Sequence, residues 1–276
     1  MGGTDCSPVT GYIDPNWPRP GSSDYVCIII VGYIPSFGLE VTAVALFTLA
    51  LGLHLWFQLW YRPWFFSTVP VGTVMEIVGY VFRILASKLN PYAVSYFVGQ
   101  YFCIAVAPVS YLAAIYAFLS VMITRAGHKY APAPPRFILW TFSVCDIIAT
   151  VVQVLVLASS APRTPMEKTP TAQITSYWGT FIYKAQNALG PRLRVFAIAT
   201  FIATVAMYVR TIIRLVETAE GLLKFLSTHE AIFACLEFLP ILAAVFMFIV
   251  FHPGKCLAPA RTAGKERDPF LPLSNT

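Results

Sequence analysis

The chain has 276 residues, of which 57% are hydrophobic and only 12% are charged. Soluble domains carry roughly 25% charged residues, so this composition excludes a soluble globular enzyme and indicates a polytopic membrane protein. The net charge of +6 does not indicate a nucleic-acid partner, because the Lys and Arg residues are spread over predicted loops and the C-terminal tail, as membrane topology requires.

The chain begins with a polar segment, residues 1–33, that we predict to be extracellular. Residues 1–24 are rich in Pro, Gly and Ser and lack the basic start of a signal peptide, so we expect no cleavage. Cys6 and Cys27 are candidates for a disulfide in this segment. At the other end, residues 255–276 are predicted to form a cytoplasmic tail.

Residues 34–254 are predicted to form an all-α transmembrane domain, a bundle of seven helices. A membrane-spanning helix needs about 20 apolar residues. Residues 171–189 contain one charge, Lys184, and are predicted to form the fifth and weakest span, with a six-span bundle as the alternative. The six clearer segments are 34–60, 67–86, 93–122, 137–159, 195–215 and 230–251.

The distribution of basic residues predicts the orientation of the bundle. The N-terminal segment has one basic residue, Arg19, whereas the tail is rich in them, and the basic-rich side of a membrane protein is cytoplasmic. The two ends therefore prefer opposite sides of the membrane, which requires an odd number of spans. We predict seven spans with the N-terminus outside and the C-terminus in the cytoplasm.

Charged and amide side chains lie within several of these apolar segments. A charge near the bilayer centre costs at least ~3 kcal/mol, so such side chains should face the interior of the bundle. Many of them recur seven residues apart, which is two turns and therefore one face of a helix. The predicted polar set is Glu76, Arg83, Gln100, Asp146, Gln153, Arg210, Arg214, Glu217, Glu230 and Glu237.

Within this set Glu76 and Asp146 lie nearest the middle of their spans and are the strongest candidates for a function. Arg83 is predicted to be the partner of Glu76, and Glu40 is predicted to be merely interfacial. With the N-terminus outside, the set extends from the midplane outward, which predicts a polar cavity open to the extracellular side. The alternative is that these side chains only hold the bundle together. The predicted ion-pair network consists of Arg210, Arg214, Glu217, Glu230 and Glu237.

Other features of the sequence narrow the possibilities. Pro108 lies inside the third predicted span and is expected to kink it. The sequence has no GxxxxGK[ST] phosphate loop, so the chain is not by itself an ATP-driven pump. The four histidines are too dispersed to favour a three-ligand zinc site, and we predict no metal, no cofactor and no catalytic residue.

Several short sequences, taken together and in order, resemble the fungal lipid-translocating exporter family, which is linked to 7-aminocholesterol resistance and sphingoid long-chain-base release. They are EIVGYVFR at 76–83, APV at 107–109, AAIY at 113–116, CD at 145–146, RTIIRLVE at 210–217 and HPG at 252–254. Two departures stand out: the fifth span is only faintly echoed around 179–186, and Ala234 and Glu237 replace a Tyr and an Asp of the family.

The resemblance implies seven transmembrane helices, a fungal source and a role in moving, releasing or sensing amphiphilic lipids. We therefore expect a non-enzymatic membrane protein, in the plasma membrane or an endomembrane, that handles an amphiphilic lipid with a cationic head group. Acidic side chains would attract the ammonium group while apolar walls accept the chain. The alternatives are a lipid-stress sensor without flux and, as a minor one, an intramembrane lipid hydrolase. The natural substrate and any oligomeric partner are not predicted.

Overall fold

The computed structural model describes residues 11–17, 26–62, 66–126, 170–185, 191–220 and 229–251. These residues form helices, turns and irregular segments and include no strand. The helices are α1 (Phe37–Tyr61), α2 (Thr68–Lys88), α3 (Val94–Ala126), α4 (Pro170–Ala185), α5 (Pro191–Glu220) and α6 (Glu230–Val250). The all-helical architecture predicted from composition is confirmed for this part of the chain.

Five of these helices are long and apolar enough to cross a membrane, namely α1, α2, α3, α5 and α6. Each corresponds to a predicted span, with ends that differ by a few residues. The predicted span at 137–159 lies outside the described residues, together with Asp146 and Gln153. The predicted number of seven spans therefore stays a prediction, as do the boundaries of the terminal segments.

The described part of the weak fifth span predicted at 171–189 forms α4, which has 16 residues. At a rise of 1.5 Å per residue a helix of this length extends about 24 Å, which is less than the ~30 Å hydrocarbon core of a bilayer. Its side chain Trp178 is fully buried, and the helix packs beside α5. The structure thus forms a helix within this predicted span, and whether it crosses the membrane stays a prediction.

Glycines allow α2 and α3 to pack closely. A Cβ atom on Gly79 would lie 2.6 Å from Ile104 Cγ1, and one on Gly72 would lie 3.0 Å from the Ala107 carbonyl oxygen. Because small residues let helix backbones approach in membranes, these positions favour the α2–α3 contact. This contact also places the second half of α2 against the first half of α3, where the candidate site lies.

Aromatic side chains join α1, α2 and α6 in the core. Phe47 of α1 stacks on Tyr80 of α2 with ring centroids 5.7 Å apart, and both rings meet the edge of Phe238 of α6. Such offset and edge-on pairs stabilise by about 0.5–1.5 kcal/mol beyond the area they bury. The cluster fixes α6 against the first two helices.

The helix α6 contains a π-helical segment, Ala234–Phe238, immediately before Pro240. Proline has no N–H to donate to the carbonyl four residues earlier, so the regular ladder is already interrupted at this point. A π segment adds one residue to the turn, so a spacing of seven residues no longer returns to the same face. The expectation that Glu230 and Glu237 share one helix face assumes regular α-helical spacing, which this segment does not keep.

Candidate functional site

Arg83 forms a buried ion pair that connects the first two helices. Its Nε atom donates to Glu40 Oε1 at 2.7 Å, and its Nη2 atom donates to the Tyr33 hydroxyl at 2.9 Å. The guanidinium carbon also lies 4.0 Å from the centroid of the Phe233 ring of α6. We call Tyr33, Glu40, Arg83 and Phe233 the Arg83 cluster; it connects α1, α2, α6 and the segment before α1.

Two expectations for these residues are corrected. Arg83 pairs with Glu40 rather than with Glu76, and Glu40 is fully buried rather than interfacial. Glu76 and Arg83 do share a face of α2, but seven residues separate them by about 10 Å along the axis. Glu40 of the neighbouring helix lies within direct reach of the guanidinium group instead.

A second buried cluster is centred on Glu237 in the π segment. Its Oε1 atom accepts hydrogen bonds from Arg210 Nη2 at 2.8 Å and from Arg214 Nε at 2.6 Å. All three residues are at most 6% exposed. The predicted pairing of Arg210 and Arg214 with this acid is confirmed, and we call these three residues the Glu237 cluster.

Pro108 helps to hold Arg210 in place. Because proline has no N–H, the carbonyl of Ile104, four residues earlier in α3, lacks its usual helical donor. Arg210 Nη2 donates to that carbonyl oxygen at 2.7 Å. The α3 helix continues through Pro108, and the expected kink stays a prediction. The proline provides an acceptor for the Glu237 cluster, a role that the sequence did not suggest.

A small cavity of about 60 Å³ separates the two clusters. This volume suits a few water molecules or a small polar head group, whereas pockets for whole drug-sized ligands measure about 300–1,000 Å³. The cavity lies at the end of the bundle that carries the N-terminal segment, since Ile30 and Val31 border it. Its polar and aromatic lining is provided by Tyr33, Arg83, Phe97, Gln100, Tyr101, Arg214, Phe233 and Glu237.

Glu76 lies in the protein interior and is not among the residues that line the cavity. Its side chain is fully buried, and neither carboxyl oxygen has a hydrogen-bond partner within the described residues. The charges of Arg210, Arg214 and Glu237 act on it across the helix contacts. A buried carboxyl group without a partner is unusual in proteins and is a marker of function.

The remaining members of the predicted set are placed as follows. Gln100 is buried and borders the cavity. Glu230 does not join the Glu237 cluster, because its Oε1 atom accepts from the backbone N–H of Ser36, at 2.7 Å, where α1 begins. Glu217 belongs to α5, but its side chain is outside the described residues, as are Asp146 and Gln153.

Aromatic residues are the part of the site that the sequence did not predict. The Tyr33 hydroxyl accepts a hydrogen bond from Arg83. Burial raises the pKa of this hydroxyl, and the nearby Arg83 charge offsets only part of that rise. Tyr101 lies under the Arg214 guanidinium, 4.9 Å from the ring centroid. Their spacing from predicted polar residues was the available signal, because Tyr101 directly follows Gln100 and Phe233 lies four residues before Glu237.

No three His, Cys, Asp or Glu side chains converge on a possible metal site within the described part of the chain. His54 is buried in α1, and its Nε2 atom lies 3.2 Å from the Val245 carbonyl oxygen of α6. Cys27 is disulfide-bonded, whereas Cys103 and Cys235 are free, so the partner of Cys27 lies outside the described residues.

A bundle of apolar helices that encloses ion pairs and a small polar cavity defines an integral membrane protein with an internal polar site. The chain belongs to the RTA1-like protein family, whose model matches residues 69–182 and 171–260. This match confirms the resemblance to the fungal lipid-translocating exporters that the short sequences indicated.

Two relatives from Saccharomyces cerevisiae are similar over most of the chain. The sphingoid long-chain base transporter RSB1 of strain Lalvin EC1118 is 23% identical over 280 residues, covering 81% of this chain and 73% of the relative. The protein RTM1 is 26% identical over 211 residues, covering 68% of each chain. No solved structure matches this chain. These relatives support a membrane lipid transporter in the broad sense.

Proposed function

We propose that this protein moves an amphiphilic lipid with a cationic head group, of the sphingoid long-chain base class, between the leaflets of a fungal plasma membrane. The observation that carries the proposal is the cavity, which brings the Glu237 carboxylate and several aromatic rings together inside an apolar bundle. Aromatic faces and carboxylates attract ammonium groups, particularly where water is scarce. The relative RSB1 is named a transporter of sphingoid long-chain bases, which are lipids of this class.

The size of the cavity suggests how such a lipid would be held. About 60 Å³ accommodates a head group and not a long chain. The apolar chain would therefore remain among the lipid-facing helix surfaces while the head group enters the bundle. In this arrangement the protein encloses only the polar part of the lipid.

The orientation of the proposed pathway follows from the N-terminal segment. Disulfides form in oxidising compartments, and Cys27 is disulfide-bonded. Ile30, Val31 and Tyr33, a few residues further on, border the cavity. We propose that the N-terminus and the cavity mouth face the outside and that the C-terminus is cytoplasmic.

The test is transbilayer movement of a labelled long-chain base by the purified protein in liposomes. Flux should exceed that of empty vesicles, and Ile232→Trp should reduce it because the larger side chain fills the cavity. Ala231→Trp, at the neighbouring exposed position, is the matched control and should retain flux.

The same experiment separates the alternatives. Binding of the base without flux would contradict the transporter proposal and favour a sensor that uses the same site. The proposal includes no chemical conversion, so the recovered lipid should be unchanged. A new product whose formation a chelator abolishes would instead favour the lipid hydrolase.

A further inference from the structure

We propose that Glu76 is a proton-binding site, and that its proton is exchanged for the cationic head group that enters the cavity. This inference rests on the proposed function and names the ion to which lipid movement is coupled. It follows from the position of Glu76 and from the balance of buried charge around it.

The described surroundings of Glu76 provide no hydrogen-bond donor to its carboxyl group. It is fully buried, and its two oxygens have no hydrogen-bond partner in the described chain. Gly79, one turn further along α2, packs on Ile104, a residue that borders the cavity. The titratable and charged groups that interact with it are Tyr80 of α2, Cys103 and Tyr111 of α3, Arg210 and Arg214 of α5, and Glu237 of α6.

Buried charge in the described helices balances only when Glu76 is ionised. The buried arginines and glutamates number three each, so their charges cancel if all are ionised. With a proton on Glu76 the set has a net positive charge. That charge repels an entering ammonium group strongly, because screening is weak in the protein interior.

The favoured protonation state of Glu76 therefore depends on whether the cavity holds a cationic head group. Without a ligand, a buried carboxyl group that lacks hydrogen bonds has the lower free energy in its neutral form. With an ammonium group in the cavity, the ionised form is favoured, because it removes the net positive charge. Binding of one cation is thus linked to release of about one proton.

The exchange step is balanced without any other reactant. The O–H bond of the Glu76 carboxyl group breaks, its electron pair stays on the carboxylate, and the proton passes to water. The Tyr80 hydroxyl, Gln100 Oε1 and Arg210 Nε are also buried without a partner in the described chain. Buried polar atoms of this kind are commonly bridged by water, which would provide the proton with a path to the cavity.

The experiment measures the protons released when a permanently charged ligand binds. The probe is an N,N,N-trimethyl long-chain base, which cannot itself lose a proton at the nitrogen. Binding to the full-length protein in nanodiscs is followed by calorimetry in buffers of different ionisation enthalpy, with protein-free nanodiscs subtracted. We expect about one proton released per ligand and an affinity that rises about tenfold per pH unit where Glu76 titrates.

Substitutions identify the source of the proton. Glu76→Gln should reduce proton release to about zero and make affinity independent of pH. Asp14→Asn removes a carboxyl group outside the spanning helices and should leave proton release unchanged. Glu76→Asp keeps a titratable group and should retain release, which provides a second variant if the glutamine form fails to fold.

The outcomes separate this inference from the proposed function. Binding of the quaternary base with no proton release by the unsubstituted protein would overturn the exchange and leave lipid handling intact. Undiminished release in folded Glu76→Gln would overturn the assignment of the proton to this residue. Failure of every long-chain base to bind would overturn both.

Discussion

At the scale of single residues, the two buried clusters differ in the balance of their charges. In the Arg83 cluster one arginine has one carboxylate, whereas in the Glu237 cluster two arginines share one. Removal of one partner from a buried pair leaves an uncompensated charge and typically costs 3–5 kcal/mol, whereas replacing both partners by apolar groups is often neutral. The contribution of each described pair to stability can therefore be tested by substitution.

Arg83→Met should destabilise the protein by about 3–5 kcal/mol because Glu40 would remain buried without its partner. Adding Glu40→Leu should recover most of this loss, since no buried charge then remains. Unfolding of the purified single and double variants in mixed micelles measures the coupling. Simple additivity of the two substitutions would show that the pair is energetically unimportant.

Glu76 and Glu237 provide a matched comparison of two buried acids. Glu237→Gln should lower the free energy of unfolding by about 2–4 kcal/mol, because two buried arginines lose their counter-charge. Glu76→Gln should leave stability almost unchanged, because the amide has nearly the shape of the neutral carboxyl group and no hydrogen bond within the described residues is lost. Thermal unfolding in one detergent measures both. Equal destabilisation by the two substitutions would contradict the difference in their surroundings.

The sequence predicted which residues are buried charges better than it predicted their partners. Arg210 and Arg214 could be joined to Glu237 because their spans are consecutive among the clear segments and both are polar at the same depth. The Glu40–Arg83 pair depends on how far α1 and α2 slide along each other, and that register is set by side-chain packing across the interface. Spacing within one helix suggested Glu76 as the partner of Arg83, but such spacing contains no information about the register between two helices.

At the scale of elements, the long apolar segments were sufficient to locate the five described helices that are long and apolar enough to span a membrane. The π segment of α6 was not predictable in the same way, because helical periodicity assumes a regular α-helix. Pro240, shortly after this segment, was the visible signal of an irregular turn between Glu230 and Glu237. Likewise, Pro108 indicated an irregularity in α3 but not that Arg210 would use the freed carbonyl.

Close packing of α2 on α3 can be tested at its glycines. Gly79→Val should destabilise the protein by about 1–3 kcal/mol, because even a Cβ atom would overlap Ile104. Gly52→Ala in α1, where nothing lies within 4 Å, is the control and should stabilise the helix by about 0.5–1 kcal/mol. Chemical unfolding in detergent compares them. A neutral Gly79→Val would show that α2 and α3 can separate without cost.

The helix interruption in α3 has its own consequence. Pro108→Ala restores an N–H that competes with Arg210 for the Ile104 carbonyl oxygen. We expect the thermal stability to change little, because a helical hydrogen bond is gained as the arginine contact weakens. Transport of a long-chain base in liposomes should fall several-fold, since displacement of Arg210 disturbs Glu237 at the cavity. Full activity would show that the proline does not position the arginine.

At the scale of the whole molecule, the cavity lies at one end of the bundle and the N-terminal segment forms part of its wall. The other described helix surfaces expose large apolar side chains, such as Leu59 and Trp60 of α1, as expected for contact with lipid. A head group could then enter from the side of the N-terminus while its chain stays outside the bundle. The access to the cavity is the molecular property that distinguishes this arrangement from a purely structural ion-pair core.

A cysteine at position 232 tests that access, introduced as Ile232→Cys in a variant from which the other reactive cysteines, including Cys103 and Cys235, have been removed. A membrane-impermeant thiol reagent should modify it from the side of the N-terminus, and a long-chain base should slow the reaction by occupying the cavity. Ala231→Cys, on the exposed face of the same helix, should react slowly in the lipid environment and show no protection, because a thiol must ionise to react. Labelling of position 232 solely from the opposite side would contradict the proposed orientation of the cavity. Rapid labelling that no lipid slows would show that the cavity admits water but does not hold the head group, and the buried ion pairs would then serve to hold the helices together.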